Sequence, residues 1–230
     1  MIVETMTHAE AFRELDADRD NVNRWLDHRA DELRRKALKA TKFPVTWWLD
    51  YTSPRKNRYM IGVTCTRRKF SRYHAISPLV LRREQRGFSV YMTPLERQSL
   101  VRRTVFLPHF FDRYAERMGV KKQGVDLIRY FFDRQTGGTI LTDQRLAGRG
   151  VRYNGRDHKF VPVQDGVTLG DMQDGIFVFR TFITYDMATG VQRDVFNGAQ
   201  KELFDIEDEI AYVNAVRLFD VQQPATLFPT

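Results

Sequence analysis

The chain has 230 residues, 42% apolar and 29% charged, with a formal net charge of +8. That composition excludes a disordered or fibrous protein, and the length suffices for one good-sized core, read here as a single domain over 1–230. The one cysteine, Cys65, excludes an intramolecular disulfide framework or a cysteine-based zinc site, and no apolar run is long enough to cross a bilayer. With an early acid, Glu4, and no apolar signal core at the start, the expectation is a cytoplasmic protein that does not engage a membrane.

Residues 1–42 read as helical. Thr7-His-Ala-Glu10 fits a capping box, and Phe12, Leu15, Val22, Trp25, Leu26, Leu33 and Ala37 recur at three- and four-residue steps. The acidic stretch Asp16 to Asp20 is expected to break this region into two helices, and Pro44 ends it.

Residues 43–107 form a basic, hairpin-rich region. Val45–Tyr51 and Tyr59–Thr66 are β-branched and aromatic, and Ser53–Asn57 between them is turn chemistry. Phe88–Met92 is a further strand. Thr93-Pro-Leu-Glu96 has the residues of a short helix start, in competition with a strand-like Val101–Leu107. Pro108 opens a helix over His109–Met118, and a second runs from Gly124 to Arg134. Thr139–Thr142, Lys159–Val163 and Gly175–Tyr185 read as strands, with turns at Asp165-Gly166 and Asp174-Gly175. Between them, Gly148 to Lys159 is a basic, glycine-punctuated connection. An amphipathic helix is expected over Ala199–Leu218, with an acidic face. Residues 108–198 are thus a helix-plus-sheet unit and 199–230 a terminal helix and tail. The fold class is α+β: an antiparallel, hairpin-rich sheet flanked by N-terminal and C-terminal helices.

The charge is unevenly spread. Thirteen basic residues lie between Thr52 and Arg103 against two acids, so this stretch carries +11 and the rest of the chain −3. Arg55, Arg58, Arg67, Arg68, Lys69, Arg72, Arg82, Arg83, Arg102 and Arg103, with Tyr73 and other interleaved aromatics, are the candidate nucleic-acid contacts. Basic groups neutralise phosphates and aromatic faces stack on bases. The alternative is a solvated basic face whose aromatics point inward.

The helix after Pro108 carries the second candidate. At about 100° per residue, His109, Arg113 and Arg117 form one stripe, while Phe110, Phe111, Tyr114, Ala115 and Met118 form the core face. An imidazole beside two permanent cations suits phosphate chemistry: the histidine moves a proton, and the guanidiniums hold the phosphate. The plain alternative is surface pairing of both arginines with Asp112 or Glu116.

The segment His109-Phe-Phe-Asp-Arg113-Tyr-Ala-Glu-Arg117-Met-Gly119 resembles the His-x3-Arg-x3-Arg-x-Gly helix of small bacterial domains of the RelE/barnase/colicin-type ribonuclease fold. In those domains a later strand contributes a Thr or Ser, for which Phe177–Tyr185 is the counterpart. The resemblance implies His109 as acid/base, Arg113 and Arg117 as phosphate clamp, and Thr181 or Thr184 as a further phosphate ligand. It covers 109–119 closely and 176–185 loosely.

The five histidines show no metal-ligand spacing, and neither a nucleophile elbow nor a phosphate-binding glycine loop is present. No cofactor is expected. The reading is an RNA-directed protein, with a metal-independent, toxin-like endoribonuclease as its enzymatic form. The alternatives are a non-catalytic nucleic-acid-binding module, or an interaction protein whose basic patch meets an acidic partner such as an antitoxin.

Overall fold

A computed structural model describes residues 1–65, 75–93, 95, 103–135, 149–153, 156–190 and 192–200. The N-terminal region forms three helices: α1 (His8–Asp16), α2 (Arg19–Asp27) and α3 (Ala30–Lys39). The capping box is formed as read. The Glu10 amide donates to the Thr7 hydroxyl at 3.2 Å, and the Thr7 amide donates to the Glu10 carboxylate at 2.9 Å. Two breaks occur where one was expected. At the first, Asp18 turns inward and is fully buried, accepting from Ser53 Oγ at 2.5 Å and Asn57 Nδ2 at 2.6 Å in the turn that follows Thr52. That anchor is unavailable to a residue on a continuous exposed helix. At the second, His28 and Arg29 keep near-helical backbone and only interrupt the hydrogen-bond ladder.

Nine strands follow: β1 (Val45–Thr52), β2 (Arg58–Cys65), β3 (Ala75–Glu84), β4 (Gly87–Met92), β5 (Thr104–Phe106), β6 (Arg149–Tyr153), β7 (Arg156–Val163), β8 (Gly166–Gln173) and β9 (Ile176–Thr184). They make one sheet of order β1-β2-β3-β4-β5-β9-β8-β7-β6. Two antiparallel meanders therefore meet at its centre, where β5 and β9 pair in parallel with Thr104 opposite Phe177. The fold is α+β as expected, but this parallel pair departs from a wholly antiparallel sheet. It arises because the chain leaves β5 into α4 (Pro108–Met118) and α5 (Gly124–Arg134), enters the second meander at the far edge, and returns to the middle last.

The strands β3 and β8 were not foreseen, although turns were expected at both ends of β8. The basic Gly148–Lys159 connection is itself a hairpin, β6 and β7, with Arg149 opposite Phe160. Its arginines and glycines hid the alternation that marks strands. The expected strand at Thr139–Thr142 lies outside the described residues, as do Pro94, Glu96 and most of the expected helix 199–218. Residues 192–200 are helical, most of them before the start expected at Ala199. No helix among the described residues is long and apolar enough to cross a membrane.

Strand alternation sorts the helices onto two faces. Met60, Leu79, Val90 and Phe106 pack with Phe110, Tyr114, Phe131 and Phe132 of α4 and α5. Their neighbours Tyr59, Ile61, Val80 and Tyr91 pack on the opposite face with Phe12, Leu15, Val22 and Leu33 of α1–α3. Phe196 and Ala199 of the last helical stretch cover Phe160, Leu169 and Ile183, on the same face as α1–α3. The sheet is thus sandwiched between helical layers. One irregularity matters below. Leu169 pairs with Thr181 and Gly170 with Phe179, so Arg180 is the extra residue of a β-bulge. The bulge explains how Phe179 and Phe182, three residues apart, both face α4.

Candidate functional site

Helix α4 starts at the carboxyl end of β5, with Pro108 at its first position and Gly119 closing it in the left-handed region at φ 63°. Its core face is the expected one: Phe110, Phe111 and Tyr114 are buried, and Ala115 and Met118 pack against the same cluster. The His109–Arg113–Arg117 stripe accordingly runs along the seam, but its members engage differently.

His109 is exposed at the end of the sheet. Desolvation lowers its pKa, followed by the positive charge of Arg180. Asp112 acts in the opposite direction and Arg113 adds to the lowering. The neutral imidazole is therefore favoured near pH 7. Arg113 is exposed and pairs with Glu116 Oε2 at 2.6 Å, the solvated pairing that the sequence held open. Both partners face water, so the pair is weak and readily exchanged for another anion. Arg117 donates through Nη1 to the carbonyl of Phe182, with a longer contact of 3.4 Å to Thr181 Oγ1. The structure thus brings Arg117 to Thr181, yet the guanidinium is committed to the main chain beside the bulge. Arg117 works as a strut between α4 and β9.

Residues that sequence reasoning missed, Arg180, Asp171 and His8 among them, and one that it named, Arg82, gather towards the same end of the sheet. Arg180, set out of alternation by the bulge, donates to Asp171 Oδ2 of β8 at 2.7 Å, and His158 Nδ1 of β7 lies 3.9 Å from Asp171 Oδ1. On the neighbouring strands, buried Arg82 donates to Glu84 at 2.7 and 3.0 Å and to the Met6 carbonyl at 2.8 Å. Its guanidinium lies 5.1 Å from the Tyr91 ring centroid. Tyr91 Oη meets His8 Nδ1 of α1 at 3.0 Å. A charged residue inside an otherwise apolar strand was the available signal for Arg180, and an ionisable first helical residue the signal for His8.

Among the described residues, the cations of the basic 52–103 segment do not form one continuous surface. Arg55 is held by Glu14 through two contacts of 3.0 and 2.6 Å, and with it the N-terminal ammonium keeps the Glu14 carboxyl down at about 2. Arg103 pairs with Asp16 and lies over Phe12. Arg82 is 8% exposed and serves the interior. Arg55 and Arg103 are thus already paired with acids of α1, and Arg82 is buried. Tyr59 and Tyr91 are buried and Phe88 packs on the core, so these aromatics do not stack on bases. Arg67, Arg68, Lys69, Arg72, Tyr73 and Arg102 lie outside the described residues.

Arg58, Arg83 and Arg86 are exposed. The start of β2 lies beside the end of β3, with Tyr59 opposite Val80, so all three sit at one end of the sheet. That end is also where α4 begins, since a Cβ added at Gly87 would lie 3.5 Å from Pro108 Cβ. Exposed cations from β2, β3 and the β3–β4 turn thus share the end of the sheet at which α4 and His109 begin.

Among the described residues, no group of three or more His, Cys, Asp or Glu side chains is placed to hold a metal ion. Comparison of the chain with protein-family models, curated proteins and solved structures finds no match.

Proposed function

We propose that the protein binds the RNA backbone at this end of the sheet and cleaves it, with His109 as general base. The observation that carries the reading is an exposed histidine, held towards its neutral form by desolvation and then by Arg180, at the end of the sheet that also presents the exposed cations Arg58, Arg83, Arg86 and Arg113. A neutral imidazole takes the proton of a ribose 2′-hydroxyl, and nearby guanidiniums offset the charge that builds on the phosphate. Arg113 reaches a phosphate by giving up an exposed partner. Thr181 remains a candidate ligand at the rim, oriented by Arg117.

The test is cleavage of single-stranded and structured RNA with EDTA present, comparing wild type with His109→Gln. Wild type is expected to give products, and the variant to be slower by about 10²–10⁴-fold, the range for losing a general base. A second reading, binding without cleavage, is favoured by one observation: Arg113 and Arg117 are both already engaged. Equal, salt-sensitive RNA binding by both proteins with no products from either would select it.

A further inference from the structure

The exposed cations at this end of the sheet stand in strand order. Met60 of β2 and Leu81 of β3 pack on the α4–α5 face, so Arg58 and Arg83, each two residues along its strand, project from that same face. Arg83 lies opposite Phe88 and Val90 opposite Phe106, which brings Arg83, Phe88 and Pro108 into one row. Arg86, in the turn between β3 and β4, precedes Gly87, which approaches Pro108. Helix α4 then leads away from these strands towards the β7–β8 turn, where Tyr114 Oη donates to Asp165. The order across the strand ends is therefore Arg58, Arg83, Arg86, His109, Arg113. Strands lie about 4.8 Å apart, so the step from β2 to β5 spans roughly 14 Å, long enough for several successive phosphates of one extended strand. The two flanks differ. Beyond Arg58, the one charged residue of β1 is the exposed Asp50. Beyond Arg113, protein acceptors hold Arg117, Arg180 and Arg134: the Phe182 carbonyl, Asp171 and Asp165. Among the described residues, exposed cations that no acid holds thus flank His109 on the β2–β4 side.

We propose that these cations form a track for the part of an RNA strand that lies 5′ of the cleaved linkage. Arg86, Arg83 and Arg58 take the first, second and third phosphates upstream of the ribose that His109 deprotonates. This rests on the reading that the chain cleaves RNA. The direction follows from the order of the groups. His109 takes the 2′-hydroxyl proton from the ribose upstream of the scissile phosphate, and Arg113 takes that phosphate in exchange for Glu116. The strand therefore passes from Arg113 to His109 in its 3′-to-5′ direction, and its upstream part continues over Arg86, Arg83 and Arg58. Guanidiniums grip phosphate oxygens whatever the base, so the track selects by upstream length and not by sequence. The negative charge of Asp50 ends it at the third phosphate.

The experiment uses the full chain and oligodeoxynucleotides that carry a single ribose, hence one cleavable linkage. One series has one nucleotide on the 3′ side and none to five on the 5′ side, and the other is the reverse. Wild type is expected to gain about 2- to 5-fold in kcat/KM with each of the first three nucleotides added 5′, the range for exposed ion pairs. Nucleotides added 3′ are expected to bring less than about 2-fold in all. In Arg58→Gln the gain is expected to stop after two nucleotides, and in Arg83→Gln the second is expected to bring none. Lys121→Gln, which removes an exposed cation beyond the far end of α4, should keep the wild-type series. A rate indifferent to 5′ length, an equal gain on both sides, or an Arg58→Gln series like that of Lys121→Gln overturns the inference and leaves the cleavage reading standing. A wild type that cleaves none of the oligonucleotides overturns that reading, and this inference with it.

Discussion

Arg117 and His109 stand eight residues apart on one helix, and their replacement should separate structure from chemistry. Arg117 carries a charge-assisted hydrogen bond to a carbonyl on a bulged strand. Arg117→Met is expected to lower the unfolding free energy by about 1.5–3 kcal/mol, read from the urea midpoint. His109 is exposed, so His109→Gln should change it by less than about 0.5 kcal/mol. The lowered His109 pKa gives cleavage a definite pH dependence. A base with a depressed pKa is half deprotonated below the ordinary histidine value of 6.5, so the midpoint of the rate's acid limb should lie below that pH. A midpoint above pH 7 would sink His109 as the base. At this scale the capping box was legible, because Thr7 and Glu10 are three residues apart and need no distant partner. The opposite fates of Arg113 and Arg117 were not, because Glu116 is local while the Phe182 carbonyl is brought in only by folding.

Two element-scale features fix α4 and α5 against the second meander. Gly170 faces the bulge so closely that a Cβ there would collide with the Val178 carbonyl. Gly170→Ala is expected to destabilise by about 1–3 kcal/mol or more and to displace Arg180, since overpacking against backbone must be met by strand movement. Asp165, in the β7–β8 turn, accepts from Tyr114 Oη at 2.8 Å, Arg134 Nε at 2.7 Å and Gln135 Nε2 at 3.1 Å, and is 5% exposed. Desolvation opposes its ionisation, yet Arg134 and Tyr114 prevail and hold its pKa below the ordinary 3.8. A depressed carboxylate contributes its stability in full above the unfolded value, and loses it as pH falls through the folded one. Acid titration of the melting midpoint should therefore drop below about pH 4, and Asp165→Asn should flatten that limb. The helices α4 and α5 and the β1–β2 hairpin were legible because their periodicity and turn residues agree. The strands β3 and β6 were not, since charged residues interrupt their apolar alternation.

At the scale of the whole molecule, the excess positive charge is divided between internal duty and the open end of the sheet. Arg55, Arg82 and Arg103 tie the N-terminal helices to the sheet, whereas Arg58, Arg83 and Arg86 face solvent. Replacing the latter three with Gln should weaken RNA binding and reduce the slope of log affinity against log salt by about 2, at about 0.7 per single-strand phosphate contact. Replacing Arg55 and Arg103 instead should cost stability and leave that slope unchanged, as a filter-binding salt titration would show.

The sequence by itself determined the α+β class, the apolar face of α4, the seam position of His109 and the clustering of basic residues, because each follows from local periodicity and residue type. Only the tertiary structure decided that β9 returns beside β5 in parallel, that a bulge turns Arg180 out of line, and that α1 delivers His8 to the same end of the sheet. The first and last depend on contacts between segments more than seventy residues apart, as Thr104 with Phe177 shows, and the bulge on the register of β8 against β9; neither leaves a periodic trace in a single chain.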